Sequence, residues 1–316
     1  MSAANRADDV VLDVREVSVS YGGVKAVDDV TFTAKKGEIL GFIGPNGAGK
    51  TTVFDAICGF VQVQSGRVNL DGQDITSLTP TERARRGLGR SFQDARLFSS
   101  LTVFETLACA FERHVRFEDP VSSMVWAPWV RKREKDVAVR VEEIIDLMGL
   151  GAFHDKFISE LSTGSRRVVD LACVMAHEPS VLLLDEPSSG MAQKETEAMG
   201  PLLLRVKEAT GCTMLLVEHD MPLVTSVSDE LIALETGRVV VRGKPRDVTT
   251  DPRVVEAYLG TDERVVARSG AIRSNGTRKR KAPVRTGAKS KKAKSTAKKP
   301  AARKSQARRS TPRRSS

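Results

Sequence analysis

The 316-residue chain has no apolar run long enough to cross a bilayer. Its longest, such as "VLLL" at 181–184 and "TMLLV" at 213–217, fall far short of the roughly 20 residues that a spanning helix needs. Cysteine is scarce. Cys58, Cys109, Cys173 and Cys212 stand far apart with no CxxC spacing, which excludes a zinc module and leaves the expectation of reduced, structural thiols in a cytosolic protein. The opening "MSAANRADDVV" carries acidic residues and no apolar core, so no secretory signal is expected there.

Acidic residues are what the C-terminal stretch lacks. Residues 262–316 hold 20 of the 50 Lys and Arg but only 2 of the 40 Asp and Glu. The net charge of +10 therefore hides a body of net −8 and a tail of net +18. Such a Lys-, Arg-, Ala-, Ser- and Pro-rich segment cannot bury enough apolar surface to offset chain entropy, so disorder is expected over 262–316. The tail also has no aromatic residue to stack on a base, so any nucleic-acid contact would be phosphate-driven and non-specific. Anionic lipid is a competing partner, with about 1 kcal/mol from each Lys or Arg near the surface. A solvated tail without a partner is the third expectation.

What is present in the body is an alternation of β-rich and helical patterns. "VVLDVREVSVSY" and "VDDVTFTAKKG" alternate like strands of an antiparallel sheet. "EILGFIG", "SVLLLDEP" and "TMLLVEH" are continuous apolar runs, as buried parallel strands are. "REKDVAVRVEEIIDLMGL" has helical spacing. The fold class expected is α/β with a mostly parallel central sheet.

"EILGFIGPNGAGKTTVFDAI" carries the strongest chemistry. Gly44, Gly47, Gly49, Lys50 and Thr51 satisfy GxxxxGK[ST], between an apolar strand pattern and a helical one. Glycines let the backbone curl so that successive N–H groups turn toward phosphate oxygens, and the helix start adds its positive end. The loop from Gly44 through Pro45, Asn46, Gly47, Ala48, Gly49 and Lys50 to Thr51 and Thr52 is expected to hold ATP. Lys50 would pair with the β- and γ-phosphates, and Thr51 would ligate Mg²⁺. "SVLLLDEPSSG" supplies the second half. A strand ending in Asp185 would set a carboxylate beside Thr51 for Mg²⁺, and Glu186 would polarise the attacking water.

Together with the "LSTGS" loop at 161–165, these motifs resemble an ABC-type P-loop ATPase, and the resemblance covers residues 10–261. It implies an antiparallel β subdomain and a helical subdomain at about 94–178, after an N-terminal extension over 1–9. It places Tyr21 of "SVSYGG" against adenine, Gln93 of "RSFQDARLF" at the Mg²⁺ or water, and His219 of "LLVEHDM" at the γ-phosphate. Gln93, Glu186 and His219 are the implied catalytic set. In such ATPases the loop of Ser162, Thr163, Gly164 and Ser165 acts on the ATP of a partner subunit. Here Thr163 and Ser165 depart from the usual glycine and glutamine, and Ala192 in "PSSGMAQKE" stands where Asp or Asn is usual. Ser162 would still offer a hydroxyl and Gly164 an unobstructed N–H.

The segments "RSFQDARLFSSLTVFETL", "VEHDMPLVTSVSDELIALETGRVVVRGKP" and "DPRVVEAYLG" narrow the resemblance to the ATP-binding subunits of branched-chain amino acid, urea or amide importers. Residues 111–133, with Trp126 and Trp129, fit the extra helical segment of those subunits. The implied partners are transmembrane permease subunits on separate chains, a second ATPase subunit in a homo- or heterodimer, and an extracytoplasmic solute-binding protein. The implied location is the inner face of the bacterial cell membrane. The alternatives are a non-transport ABC ATPase acting on nucleic acid through the tail, and a nucleotide-binding regulatory subunit with little turnover.

Overall fold

The computed structural model describes residues 9–91, 97–112 and 128–258, with backbone only over 128–133. Two long strands, β1 (Val10–Tyr21) and β2 (Val24–Lys35), pair antiparallel around the turn at Gly22 and Gly23. With β4 (Ser65–Leu70) and β5 (Gln73–Asp74) they form a four-stranded sheet in the order β2-β1-β4-β5. The alternating residues of β1 and β2 put one face of this sheet into the core, as their period of two requires.

The second sheet contains β3 (Ile39–Ile43), β6 (Leu88–Arg90), β7 (Val181–Asp185), β8 (Thr213–Val217), β9 (Glu230–Glu235) and β10 (Arg238–Gly243). Its order is β10-β9-β3-β8-β7-β6, and every pairing is parallel except β10 with β9. β3, β7 and β8 are buried at all five positions, so their unbroken apolar runs reflect cover on both faces.

The two faces can be separated residue by residue. Leu40, Phe42, Leu183, Leu215 and Ile232 join one core with the antiparallel sheet and with α1 (Lys50–Cys58). There Phe42 meets Phe32 and Phe54 edge-on, with ring centroids 5.1 and 5.5 Å apart, tying β3, β2 and α1 together. Ile39, Ile43, Leu182, Leu184, Leu216 and Leu231 face the other core. That core is covered by α3 (Val103–Phe111), α4 (Pro128–Met148), α5 (Thr163–Met175), α6 (Gln193–Thr210) and α7 (Met221–Val227). Three smaller helices, α2 (Pro80–Arg85), α8 (Pro245–Thr249) and the stretch over 252–258, complete the fold.

The expected α/β architecture is therefore present, with its mostly parallel sheet, its antiparallel sheet and a helical group. Gln93, Trp126 and the tail over 262–316 lie outside the described residues, as does the side chain of Trp129. Among the described residues no helix is long and apolar enough to cross a membrane.

Candidate functional site

The loop after β3 is shaped by what surrounds it. Gly44 adopts φ +147°, and a Cβ there would lie 2.2 Å from the Leu234 carbonyl at the end of β9. Gly49 adopts φ +98°, and its Cβ would lie 2.4 Å from the Ala26 carbonyl. Neither position admits a side chain. The turn between β9 and β10 braces the loop from behind, where Gly237 N–H donates to Ala48 O at 2.9 Å. At the mouth, Asn46 and Gly47 are exposed, and a Cβ on Gly47 would meet nothing within 4 Å. α1 starts at Lys50, so the free N–H groups of its first turn join this mouth. Lys50 is buried; its ammonium donates to the carbonyls of Gly44 at 2.7 Å and Pro45 at 3.1 Å. Burial lowers its pKa, while Glu186 and Asp185 pull it back up. A buried ammonium flanked by curled backbone is a seat for an anion such as a phosphate chain.

Asp185 ends β7 inside the protein, at 4% exposure. Burial raises its carboxyl above the usual range, opposed by the Arg90 guanidinium and the Thr51 hydroxyl. Arg90 reaches it at 3.4 Å and also pairs with Asp55 on α1, so β6, β7 and α1 share one ionic cluster. The Mg²⁺ that the ABC resemblance implies fits these residues. Asp185 Oδ1 is buried without a hydrogen-bond partner among the described residues, and the Thr51 hydroxyl serves the same carboxyl group. Thr51 and Asp185 would hold the ion, with Gln93 outside the described residues.

Glu186 follows at φ +51°, a left-handed conformation that costs a non-glycine residue about 1–3 kcal/mol. Its N–H donates to Val217 O at 2.9 Å, which turns the chain out at the end of the sheet. Its Oε1 lies 2.9 Å from His219 Nε2, a carboxylate and an imidazole brought together from the ends of β7 and β8. The residue that sets this pair is one that sequence reasoning passed over. Glu218, 2% exposed, accepts from Ser188 N–H at 2.8 Å and His219 N–H at 3.1 Å, so one carboxylate fixes both loops.

Tyr21 ends β1 with 53% of its surface exposed, open for stacking. Ser162 is the N-cap of α5, accepting from Ser165 N–H at 3.1 Å, with Ser165 Oγ also at 3.1 Å. Gly164, however, is not unobstructed. The Glu195 carboxylate lies against it, so that a Cβ on Gly164 would meet Glu195 Cδ at 2.4 Å. Ser162 Oγ donates to Glu195 Oε1 at 2.7 Å, and Ala192 N–H donates to Oε2 at 3.1 Å. The Ser162 hydroxyl and the N–H groups of Ala192 and Gly164 hold this carboxyl below its usual range. Ala192, as N-cap of α6, contributes no side-chain cap.

The strands and loops thus bring Lys50, Thr51, Asp185, Glu186 and His219 to one end of the parallel sheet, where α/β folds bind ligands. Known proteins share the pattern. The ABC transporter family matches residues 27–189, and a family described as branched-chain amino acid ATP-binding cassette transporter matches 238–264. The chain is 34% identical over 250 residues to the high-affinity branched-chain amino acid transport ATP-binding protein BraF of Pseudomonas aeruginosa, covering 79% of this chain and 98% of that one. LivG of Escherichia coli K12 is 34% identical over the same shares. Among solved structures, a nucleotide-free ATP-binding cassette from an ABC transporter superposes with a TM-score of 0.67 at 29% identity, covering 79% of this chain and 98% of the other. With the site geometry, the family match over half the chain and relatives matched along nearly their whole length, the chain belongs to the ABC transporter ATP-binding family and is an ATP hydrolase of that type.

Proposed function

We propose that this chain powers an importer of branched-chain amino acids or related small polar solutes, working as one of two ATPase subunits under permease subunits on separate chains. The supporting observation is that one chain joins the Lys50, Thr51, Asp185 and Glu186 site to a C-terminal segment that matches branched-chain transporters over 238–264. In this reading residues 44–52 hold the phosphates, Tyr21 stacks on adenine, and Glu186 orients water while His219 holds the carboxylate and meets the γ-phosphate. Gln93 completes the catalytic set. Bound Mg²⁺ would neutralise charge on the transferring phosphate. Ser162 and Gly164 would serve the ATP of the partner subunit in a head-to-tail dimer. The subunit then sits at the inner face of the cell membrane, supplied by a solute-binding protein on the other side.

Two measurements test this. Glu186→Gln should retain MgATP and lose steady-state phosphate release by about 10²-fold or more, whereas Lys50→Ala should lose nucleotide retention. Undiminished hydrolysis in Glu186→Gln would remove the role given to Glu186. Cells lacking the gene should lose uptake of radiolabelled leucine, isoleucine and valine, and regain it with the unaltered gene but not with Glu186→Gln. Unchanged uptake of all three would overturn the substrate class.

A further inference from the structure

The C-terminal segment that marks the branched-chain subfamily also reaches the nucleotide loop. The last helical stretch, 252–258, is anchored by Val254, 5% exposed, and its start is held where Asp251 Oδ1 accepts from Arg253 N–H at 2.9 Å. Its final described residue, Tyr258, packs its ring against the core beside the helical group. The phenol oxygen accepts from Gly44 N–H at 2.8 Å, a bond between residues 214 positions apart.

Gly44 is buried and its conformation is open only to glycine. The two peptide planes that flank its Cα are each held by one side chain: the N–H by Tyr258, and the carbonyl by Lys50 at 2.7 Å. Lys50 has to serve two kinds of acceptor in the function proposed above. An ammonium carries three N–H donors, two of which reach the Gly44 and Pro45 carbonyls, so its hold on the loop is shared with the phosphate oxygens once they bind. Tyr258 is the hold on the loop's first residue that phosphate binding does not draw on. Its phenol suits that task, since burial raises its pKa and keeps the group neutral through the working pH range, with the Gly44 N–H opposing that rise.

We propose that Tyr258 is a positioning residue for nucleotide binding, a strut from the C-terminal segment that holds Gly44 while Lys50 engages the phosphates. The inference rests on the reading of Lys50 as a phosphate ligand. It assigns the C-terminal segment a part in the ATP site rather than only in packing.

Tyr258→Phe removes the acceptor and keeps the ring. In the full-length protein it should raise the dissociation constant of a fluorescent ATP analogue with Mg²⁺ by about five- to tenfold, the range that one buried hydrogen bond supports. KM for ATP should rise by a similar factor with kcat changed less than twofold. Val254→Ala loosens the same helix without touching the hydroxyl. It should lower the thermal midpoint of the nucleotide-free protein more than Tyr258→Phe does, and leave the dissociation constant within about twofold. Equal nucleotide affinity in Tyr258→Phe and the unaltered chain would overturn the role of Tyr258. A loss in Val254→Ala as large as in Tyr258→Phe would do the same, by reducing the effect to packing. If Lys50→Ala binds the analogue as tightly as the unaltered chain, the phosphate site itself is misplaced, an outcome distinct from either of these.

Discussion

Asp170 on α5 is a carboxyl that works against the folded state. Burial pushes its pKa to about 6, with Arg167 only partly opposing. A carboxyl with a raised folded pKa destabilises above that pKa and ceases to do so below the unfolded value near 3.9. Asp170→Asn should therefore stabilise the protein by about 2 kcal/mol at pH 8, and by roughly half as much at pH 5. Thermal midpoints across that range would show it, and a gain that grew toward low pH would contradict the assigned cause. Glu218 is a buried side chain whose carboxyl oxygens accept from the loop N–H groups of Ser188 and His219, at the ends of β7 and β8. Glu218→Ala should cost about 2–3 kcal/mol by leaving those donors unpaired. It should also lower kcat by displacing Glu186 and His219, which a phosphate-release assay would report. What sequence could reveal at this scale follows from distance along the chain. Lys50 and Asp185 were legible because their neighbours in sequence, a glycine loop and an apolar strand, announce the chemistry. Glu218, Glu195 and Tyr258 were not. Their partners lie 30, 33 and 214 residues away, and nothing in the local pattern points to them.

Among the elements, α1 is held at both ends. Its N-terminus belongs to the nucleotide loop, and its C-terminus is capped by Arg83, 2% exposed, from α2. Arg83 donates to Ala56 O and Ile57 O at 2.7 Å, Thr76 O at 2.6 Å and Leu78 O at 3.0 Å. A guanidinium fork serves four carbonyls at once and a cation suits a helix C-terminus. Arg83→Met keeps the stem and abandons those carbonyls, so a loss of about 3 kcal/mol is expected in denaturant unfolding. Arg83→Lys should recover only part of it. At the start of α5, Glu195 takes the hydroxyl and N–H that a partner's phosphate would use in the proposed dimer. Glu195→Gln weakens that hold by removing charge. In a Glu186→Gln background it should tighten MgATP-dependent dimerisation about two- to fivefold by sedimentation. The strands were easier to read than these helix ends. Continuous burial of β3, β7 and β8 is written in their composition, whereas a cap from another element is not.

For the whole molecule, charge divides the chain more sharply than any fold boundary, with net −8 before residue 262 and net +18 from that residue onward. Removing residues 262–316 spares Tyr258 and every residue of the proposed site, so ATP hydrolysis should stay within about twofold. Retention on vesicles rich in anionic lipid should fall at low salt, and the difference should vanish at 1 M salt, where the screening length is about 3 Å. Equal retention at low salt would exclude lipid contact, and tight binding of the tail to duplex DNA with a steep salt slope would favour nucleic acid.

The strand order carries a consequence for how the protein is made. β3 lies between β8 and β9, so both of its hydrogen-bonding edges are filled by strands made much later: β8 begins about 170 residues after β3 ends, and β9 later still. At about 5–20 residues per second of synthesis, the nascent β3 waits roughly 9–35 s for its first partner. During that time five buried-type residues and the glycine loop behind them have no sheet to join. Ribosome-bound chains arrested before residue 213 should not retain ATP. Chains arrested far enough beyond residue 258 to clear the exit tunnel should, which makes nucleotide capture a late event in the life of this polypeptide.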